Sequence, residues 1–222
     1  MSSRARDAFN ENCGDIDRLL EIHADITGEE PGRRWQQVES LHKAALVLLT
    51  AFWEAYCEDL AAEALAHLVR SAPDAGSLPR ELQKLVAKEL KTASHDLAIW
   101  QLADEGWRAV LSTRLQRLQE ERNRRLNTPK TAQINELFES AVGIEGISRS
   151  WYWTNMKAKR AGEKLDFYVT LRGEIAHRGS AASSVTKPQV KFYYNHVRRL
   201  VARTEAHVAE VVTRVTGVPP WS

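Results

Sequence analysis

Apolar residues recur at three- and four-residue spacings along nearly the whole chain, and no stretch alternates apolar with polar residues for long enough to require a sheet. The first predicted helix carries Ile16, Leu19 and Leu20 and ends by Gly28. A long second helix follows Pro31 and runs towards Arg70, with Val38, Leu41, Ala45, Leu49, Phe52, Tyr56 and Leu60 on one face. Pro73 to Pro79 reads as a loop, with Ser77 as the candidate cap of a third helix that holds Leu82, Leu85, Val86 and Leu90 and extends to Trp100. Gly106 breaks that pattern. A fourth helix is predicted from Trp107 to Leu126, stopped by Asn127-Thr128-Pro129, and a short fifth one carries Ile134, Leu137, Phe138 and Val142 before a turn at Gly143 to Gly146. After Trp151-Tyr152-Trp153 comes a helix with Tyr168, Leu171 and Ile175 at i, i+3 and i+7, closed by Gly179 and a small, polar loop. Beyond Pro188 a last long helix places Val190, Tyr193, Val197, Leu200, Thr204, Val208, Val211 and Val215 at helical spacing. The expected fold is all-α, a helical bundle with an inserted helical section: residues 1–30 as an N-terminal helical segment, and 31–222 as the main domain with its insertion at about 74–150.

One polar residue interrupts this pattern with consequence. Arg172 projects from within the stripe of Tyr168, Leu171 and Ile175. A guanidinium turned inward needs an anion, because stripping its water costs several kcal/mol or more unless charge and hydrogen bonds compensate. That anion is either a carboxylate from another helix or a phosphate. On the second helix Asp59 borders the buried arc and is the first choice as the carboxylate; Glu54, which with Glu58 points away in a straight helix, is the second. His177 follows Arg172 by five residues, about 140° around the helix and one and a half turns along it, next to the negative end of the helix dipole. Arg172 and His177 share one groove only if a second helix or a second copy of the chain supplies the other wall, as a two-fold dimer would.

Composition narrows the alternatives. The 222 residues are 43% hydrophobic with a net charge of +2, enough for one sizeable core and not strongly basic overall. Locally the balance differs. From Arg108 to Lys130 seven basic residues, including Arg114, Arg117, Arg124 and Arg125, face only Glu120 and Glu121. From Lys187 to Arg203 five basic residues, among them Lys191, Arg198 and Arg199, occur with no acid and with Tyr193, Tyr194 and His196 interleaved. Both stretches suit a polyanion such as RNA, although two basic helix faces are more often ordinary solvated surface. Cys13 and Cys57 lack metal-ligand spacing and fit a reducing compartment. The first residues have no signal-peptide core, and the apolar run from Ala44 to Trp53 is too short to span a bilayer, so a cytoplasmic protein without membrane contact is expected. There is no glycine-rich phosphate loop, His-Glu-x-x-His or Gly-x-Ser-x-Gly; the remaining histidines fall on separate predicted helices and read as packed or surface residues.

Arg172, four residues and His177, on the penultimate helix of an all-helical chain, resemble the signature of the HEPN superfamily. The surroundings resemble its RiboL-PSP-HEPN branch: Leu48 to Leu60, with its Thr-Ala-Phe-Trp-Glu-Ala-Tyr core, and the midchain Asn127-Thr128-Pro129 leading to Ile134, Leu137, Phe138 and Gly143-Ile144. The similarity runs from about Leu41 to Thr216. It implies a bundle that dimerises and places two such motifs in one cleft, and a metal-independent endoribonuclease without cofactors, of the kind found in toxin, phage-defence or RNA-processing systems. An antitoxin or defence-system protein is then an expected partner beside RNA. The resemblance assigns catalysis to Arg172 and His177; Asp59 and Glu54, from the wheel of the second helix, and Glu174 and Arg178 beside the motif are the expected supporting residues. A non-catalytic dimeric module binding RNA or protein is the alternative it also covers, and an unrelated helical interaction protein is the third. Two positions depart from the family: Gly173 stands where a polar residue, commonly Asn, is frequent, and Gly179 stands where some toxins carry a tyrosine that a partner enzyme modifies.

Overall fold

The computed structural model describes residues 2–27, 35–93, 95–120, 128–178 and 184–221; the side chains of residues 27, 35–37, 96, 177 and 178 lie outside that description. Seven α-helices account for most of the described residues: α1 (Arg4–Thr27), α2 (Trp35–Ser71), α3 (Arg80–Lys91), α4 (Gly106–Glu120), α5 (Thr131–Val142), α6 (Ala158–Arg178) and α7 (Lys187–Thr216). Three short 3-10 segments, at Ala75–Ser77, Asp96–Leu102 and Ile147–Ser150, connect them, and no strand occurs among the described residues. The chain is all-α, as its periodicity predicts.

α2 is the axis. At 37 residues it is about 55 Å long, and it packs against α1, α4, α5, α6 and α7. Its buried positions, including Leu46, Leu49, Trp53, Tyr56, Cys57, Leu60, Ala61, Ala64, Leu65 and Leu68, cover most of its circumference. An enclosed helix of this kind has no polar side, so a one-faced helical wheel misplaces its acids: Glu58, expected to point away, is buried. α1 runs antiparallel to α2, with its first turn at Glu63 and its far end at His42, whose ring lies 4.8 Å from that of His23. α7 runs parallel to α2, and bonds along their length fix the register: His42 Nδ1 to the Val185 carbonyl (2.9 Å), the Tyr56 hydroxyl donating to the Val201 carbonyl (2.9 Å), and His67 Nε2 to Thr216 Oγ1 (3.2 Å).

Phe9, Cys13 and Ile16 of α1 belong to the same core cluster as Leu78, Leu82, Ile134 and Phe138 from the segment between residues 74 and 150. At its start, α1 has free N–H groups that acids from distant helices satisfy. Glu63 accepts from the N–H groups of Ala5 (2.7 Å) and Arg4 (3.2 Å), and Glu205 accepts from the N–H (2.7 Å) and hydroxyl (2.8 Å) of Ser3 while pairing with Arg6 at 2.6 Å. Trp53, Tyr56 and Trp151 form the aromatic centre, with ring centroids 5.8 to 5.9 Å apart. The Trp151 indole N–H donates to Thr204 Oγ1 at 2.9 Å, so the fully buried ring leaves no unpaired donor.

Several boundaries differ from the sequence expectation. α3 stops at Lys91, and the stretch towards Trp100 is 3-10 rather than a continuation of the helix. Ser77 does not cap α3; Pro79 holds that position, and the Ser77 N–H is instead bound by the Asp74 carboxylate at 2.8 Å. α5 ends at Gly143, in the left-handed region at φ 72°, with the Leu82 backbone so near that a side chain there would collide. α7 begins with a reciprocal capping box between Thr186 and Gln189 and with Pro188 in the first turn.

Candidate functional site

α6 buries Ala161, Leu165, Tyr168, Val169, Leu171 and Ile175, and Arg172 stands half-buried among them. Gly162 lets this helix approach α5, since a Cβ there would come within 2.8 Å of Thr131 Oγ1. Asp166 locks the contact by accepting from the N–H (2.7 Å) and hydroxyl (2.8 Å) of Thr131. Tyr168 stacks on Tyr193 of α7 with centroids 4.4 Å apart and planes at 17°. The Tyr193 hydroxyl lies 3.1 Å from Thr50 Oγ1, and because Thr50 donates to the Leu46 carbonyl at 2.9 Å, Tyr193 is the donor in that pair. Burial holds the Tyr193 phenol protonated well above its ordinary range, and the Arg172 charge acts in the opposite direction.

Arg172 is thereby set between α6, α7 and α2. Its Nε is buried and has no hydrogen-bond partner. The carboxylate that feels its charge is Glu54. Desolvation, joined by repulsion from Glu58 one turn along α2, pushes the Glu54 carboxyl up to about 7, and Arg172 only partly offsets this. Near neutral pH Glu54 is therefore poised between its charged and neutral forms within the field of Arg172. Asp59, preferred from the sequence, lines another cleft with Ser2, Arg4, Glu63, Arg70 and Trp221, against the first turn of α1. The reason is the enclosure of α2: Asp59 is five residues from Glu54, about 140° around the helix, and that flank is covered by α1 rather than α6. Glu174 is half-buried on α6, two residues past Arg172.

His177 and Arg178 occupy the last two positions of α6; their side chains, and the Gly179 stop that follows, lie outside the described residues. The backbone places His177 about 7.5 Å further along the axis than Arg172. Of the basic residues expected to meet RNA, Arg114 is engaged internally. Its Nε donates to the Ser140 carbonyl at 3.1 Å, a second nitrogen reaches the same oxygen, a third pairs with Glu89, and the side chain is only 11% exposed. Arg108 is held likewise at the end of α2, donating to the Val69 and Ala72 carbonyls. Arg117 is exposed on α4, and Lys191, Arg198 and Arg199 are exposed on α7. Arg124 and Arg125 fall outside the described residues.

The interleaved aromatics of α7 part company: Tyr193 and His196 are buried, Tyr194 turns towards Asp17 of α1, and the exposed ring is Phe192. The perturbed Glu54 escaped a wheel reading, although one signal was present. Two carboxylates at i and i+4, Glu54 and Glu58, repel one another on any helix, which marks a position where something other than helix stability is being served.

Among the described residues no group of three or more His, Cys, Asp or Glu is placed to hold a metal ion, and no helix is long and apolar enough to cross a membrane. A protein-family model described as RiboL-PSP-HEPN matches residues 11–210, starting inside α1 and well before Leu41, where the resemblance in the sequence begins. No curated protein and no solved structure matches the chain.

Proposed function

Because the chain belongs to the RiboL-PSP-HEPN family, matched over residues 11–210, we propose that it is an endoribonuclease that cleaves RNA by attack of the 2′-OH, with Arg172 and His177 at a cleft between two copies of the chain. The observation that carries this reading is the half-buried Arg172, with its Nε unpaired and a carboxyl of raised pKa beside it. RNA supplies its own nucleophile, so the protein has to move protons, offset the charge of the phosphorane and align the attack. The 2′-oxygen bonds to the adjacent phosphorus, the bond from phosphorus to the 5′-oxygen breaks, and the products are a 2′,3′-cyclic phosphate and a 5′-hydroxyl. His177 takes the proton of the 2′-OH or returns one to the leaving 5′-oxygen; the His177 of a two-fold partner would supply the complementary step. Arg172 offers its planar donor fork to the phosphoryl oxygens. Glu54 is a positioning residue whose charge state sets the field at Arg172 when the phosphate arrives. Glu174 and Arg178 support the same end of α6. A toxin or phage-defence setting, with a protein partner that restrains the activity, is the context this chemistry fits.

The charge of Arg172 felt by the half-buried Glu54 also favours a second reading, a dimeric module that binds RNA or protein without cleaving it and in which the arginine is structural. Labelled RNA incubated in EDTA separates the two. Wild type should cut and leave cyclic phosphate ends. His177→Ala should lose about 10²- to 10⁴-fold of the rate while keeping the same far-UV circular dichroism. Equal cleavage by both proteins removes His177 from the mechanism, and RNA binding by an inert wild type selects the second reading.

A further inference from the structure

One turn before Arg172, the surface carries a run of rings. Phe167 on α6 is 56% exposed and meets Tyr168 edge-on at 5.2 Å; Tyr168 stacks with Phe192 of α7 at 6.2 Å, and Phe192 is 41% exposed. The run continues through the buried His196, stacked with Phe192 at 6.1 Å and 5.4 Å from Trp153, to Tyr152, which is 59% exposed. Phe192, His196, Arg199 and Arg203 fall at i, i+4, i+7 and i+11, one face of α7 about 16 Å long. The Tyr152 and Trp153 end is held by a tight turn, in which Trp153 and Met156 exchange backbone bonds of 2.9 and 3.1 Å around Asn155 at φ 64°.

Each exposed or half-exposed ring from Phe192 onward has a cation over it. Lys164 Nζ lies 4.3 Å from the Phe192 centroid, the Arg199 guanidinium 5.8 Å from Trp153 and the Arg203 guanidinium 5.5 Å from Tyr152. Among the described residues none of these three cations has an ion pair: Asp166 is bound to Thr131, Glu163 lies 4.0 Å from Lys159, and α7 has no acid from Lys187 to Arg203. Large apolar rings left in water beside unneutralised cations suit a ligand with flat faces and an anionic backbone. A second copy of the chain on this face would set two cationic strips against one another under two-fold symmetry, which opposes that occupant.

We infer that this strip is a track for single-stranded RNA leading to Arg172, in which Phe167, Phe192, Trp153 and Tyr152 stack bases and Lys164, Arg199 and Arg203 hold the backbone. The choice of RNA rests on the nuclease reading; the track itself is a binding property and is measured apart from cleavage.

The probe is a fluorescent 2′-O-methyl RNA of twelve nucleotides, which lacks the attacking hydroxyl, used as a single strand and as a duplex with the full chain. The single strand should bind more tightly than the duplex. Phe167→Ala with Phe192→Ala should weaken binding of the single strand by tenfold or more, Phe192→Trp should retain it, and Arg203→Gln should flatten the salt dependence by about one unit of slope. All these positions are at the surface, so circular dichroism should be unchanged. Undiminished binding by the double variant, a preference for duplex, or dissociation of a dimer by the double variant in sedimentation each overturns the track. Binding that follows the rings in a protein that never cleaves ordinary RNA keeps the track and removes the nuclease; cleavage with ring-independent binding does the reverse.

Discussion

Replacing Glu54 by glutamine isolates the electrostatics of the Arg172 environment. The carboxyl titrates at about 7 in the folded protein against an ordinary value of 4.5, with burial as the largest cause and Glu58 as the second. Between these two pH values the folded state keeps a proton that the unfolded chain has lost, so stability falls as pH rises from about 4.5 through 7 and is level above that. At 1.36 kcal/mol per pH unit the full effect would be about 3 kcal/mol; solvent reaches this half-buried carboxyl, and screening reduces the expected loss to about 1–2 kcal/mol. Glutamine has the shape and neutrality of the protonated acid, so Glu54→Gln should match wild type near pH 4.5 and exceed it by about 1–2 kcal/mol at pH 8. Urea denaturation of both proteins at half-unit steps from pH 4.5 to 8.5 measures the difference, and subtracting the two curves cancels the groups that do not interact with Glu54. A difference that stays constant with pH would refute the reasoning, and one that shrinks as pH rises would mean that Arg172 outweighs burial and Glu58 together.

Two further predictions concern stability. Thr204→Val removes the acceptor of the Trp151 indole N–H, in a fully buried position, and should cost about 1–3 kcal/mol in urea denaturation; an unchanged midpoint would mean that the indole finds another partner. A Cβ at Gly173 would meet nothing within 4 Å, so Gly173→Ala should raise stability by about 0.5–1 kcal/mol through helix propensity alone. Calorimetry should then show an increase of a few degrees in Tm, and a decrease would mean that the helix needs the glycine.

The strongly periodic parts of the fold were legible in the sequence. α1, α2, α5 and α7 follow their apolar spacings, and the inward setting of Arg172 followed from Tyr168, Leu171 and Ile175, all of which are buried. The segment around Asp96–Leu102 was less legible, because a 3-10 stretch retains apolar residues at three-residue spacing and differs from an α-helix chiefly in its hydrogen bonds. A wheel ranks Asp59 ahead of Glu54 because it assumes one wet side, whereas α2 has neighbours on nearly every side. Composition read Arg114 as a phosphate contact, whereas in the fold it ties α4 to α3 and α5. A tally of charge along the chain does not distinguish a cation that binds carbonyls from one that faces solvent. The same limit hid Phe192 among the tyrosines of α7, since only the packing of α6 and α1 decides which ring remains uncovered.

The clamp between Ser3 and Glu205 joins residues 202 positions apart. On a translating ribosome, at about 5–20 residues per second, the first turn of α1 emerges on the order of ten to forty seconds before its carboxylate. During that interval α1 can dock only on α2, while the surface formed by Phe9 and Cys13 that α7 will later cover stays accessible to proteases and chaperones. Completion of the bundle is thus deferred until α7 has been made. A chain cut short before α7 would lack Glu205, Phe192, Arg199 and Arg203 together, so the aromatic and cationic strip is complete only when the bundle is.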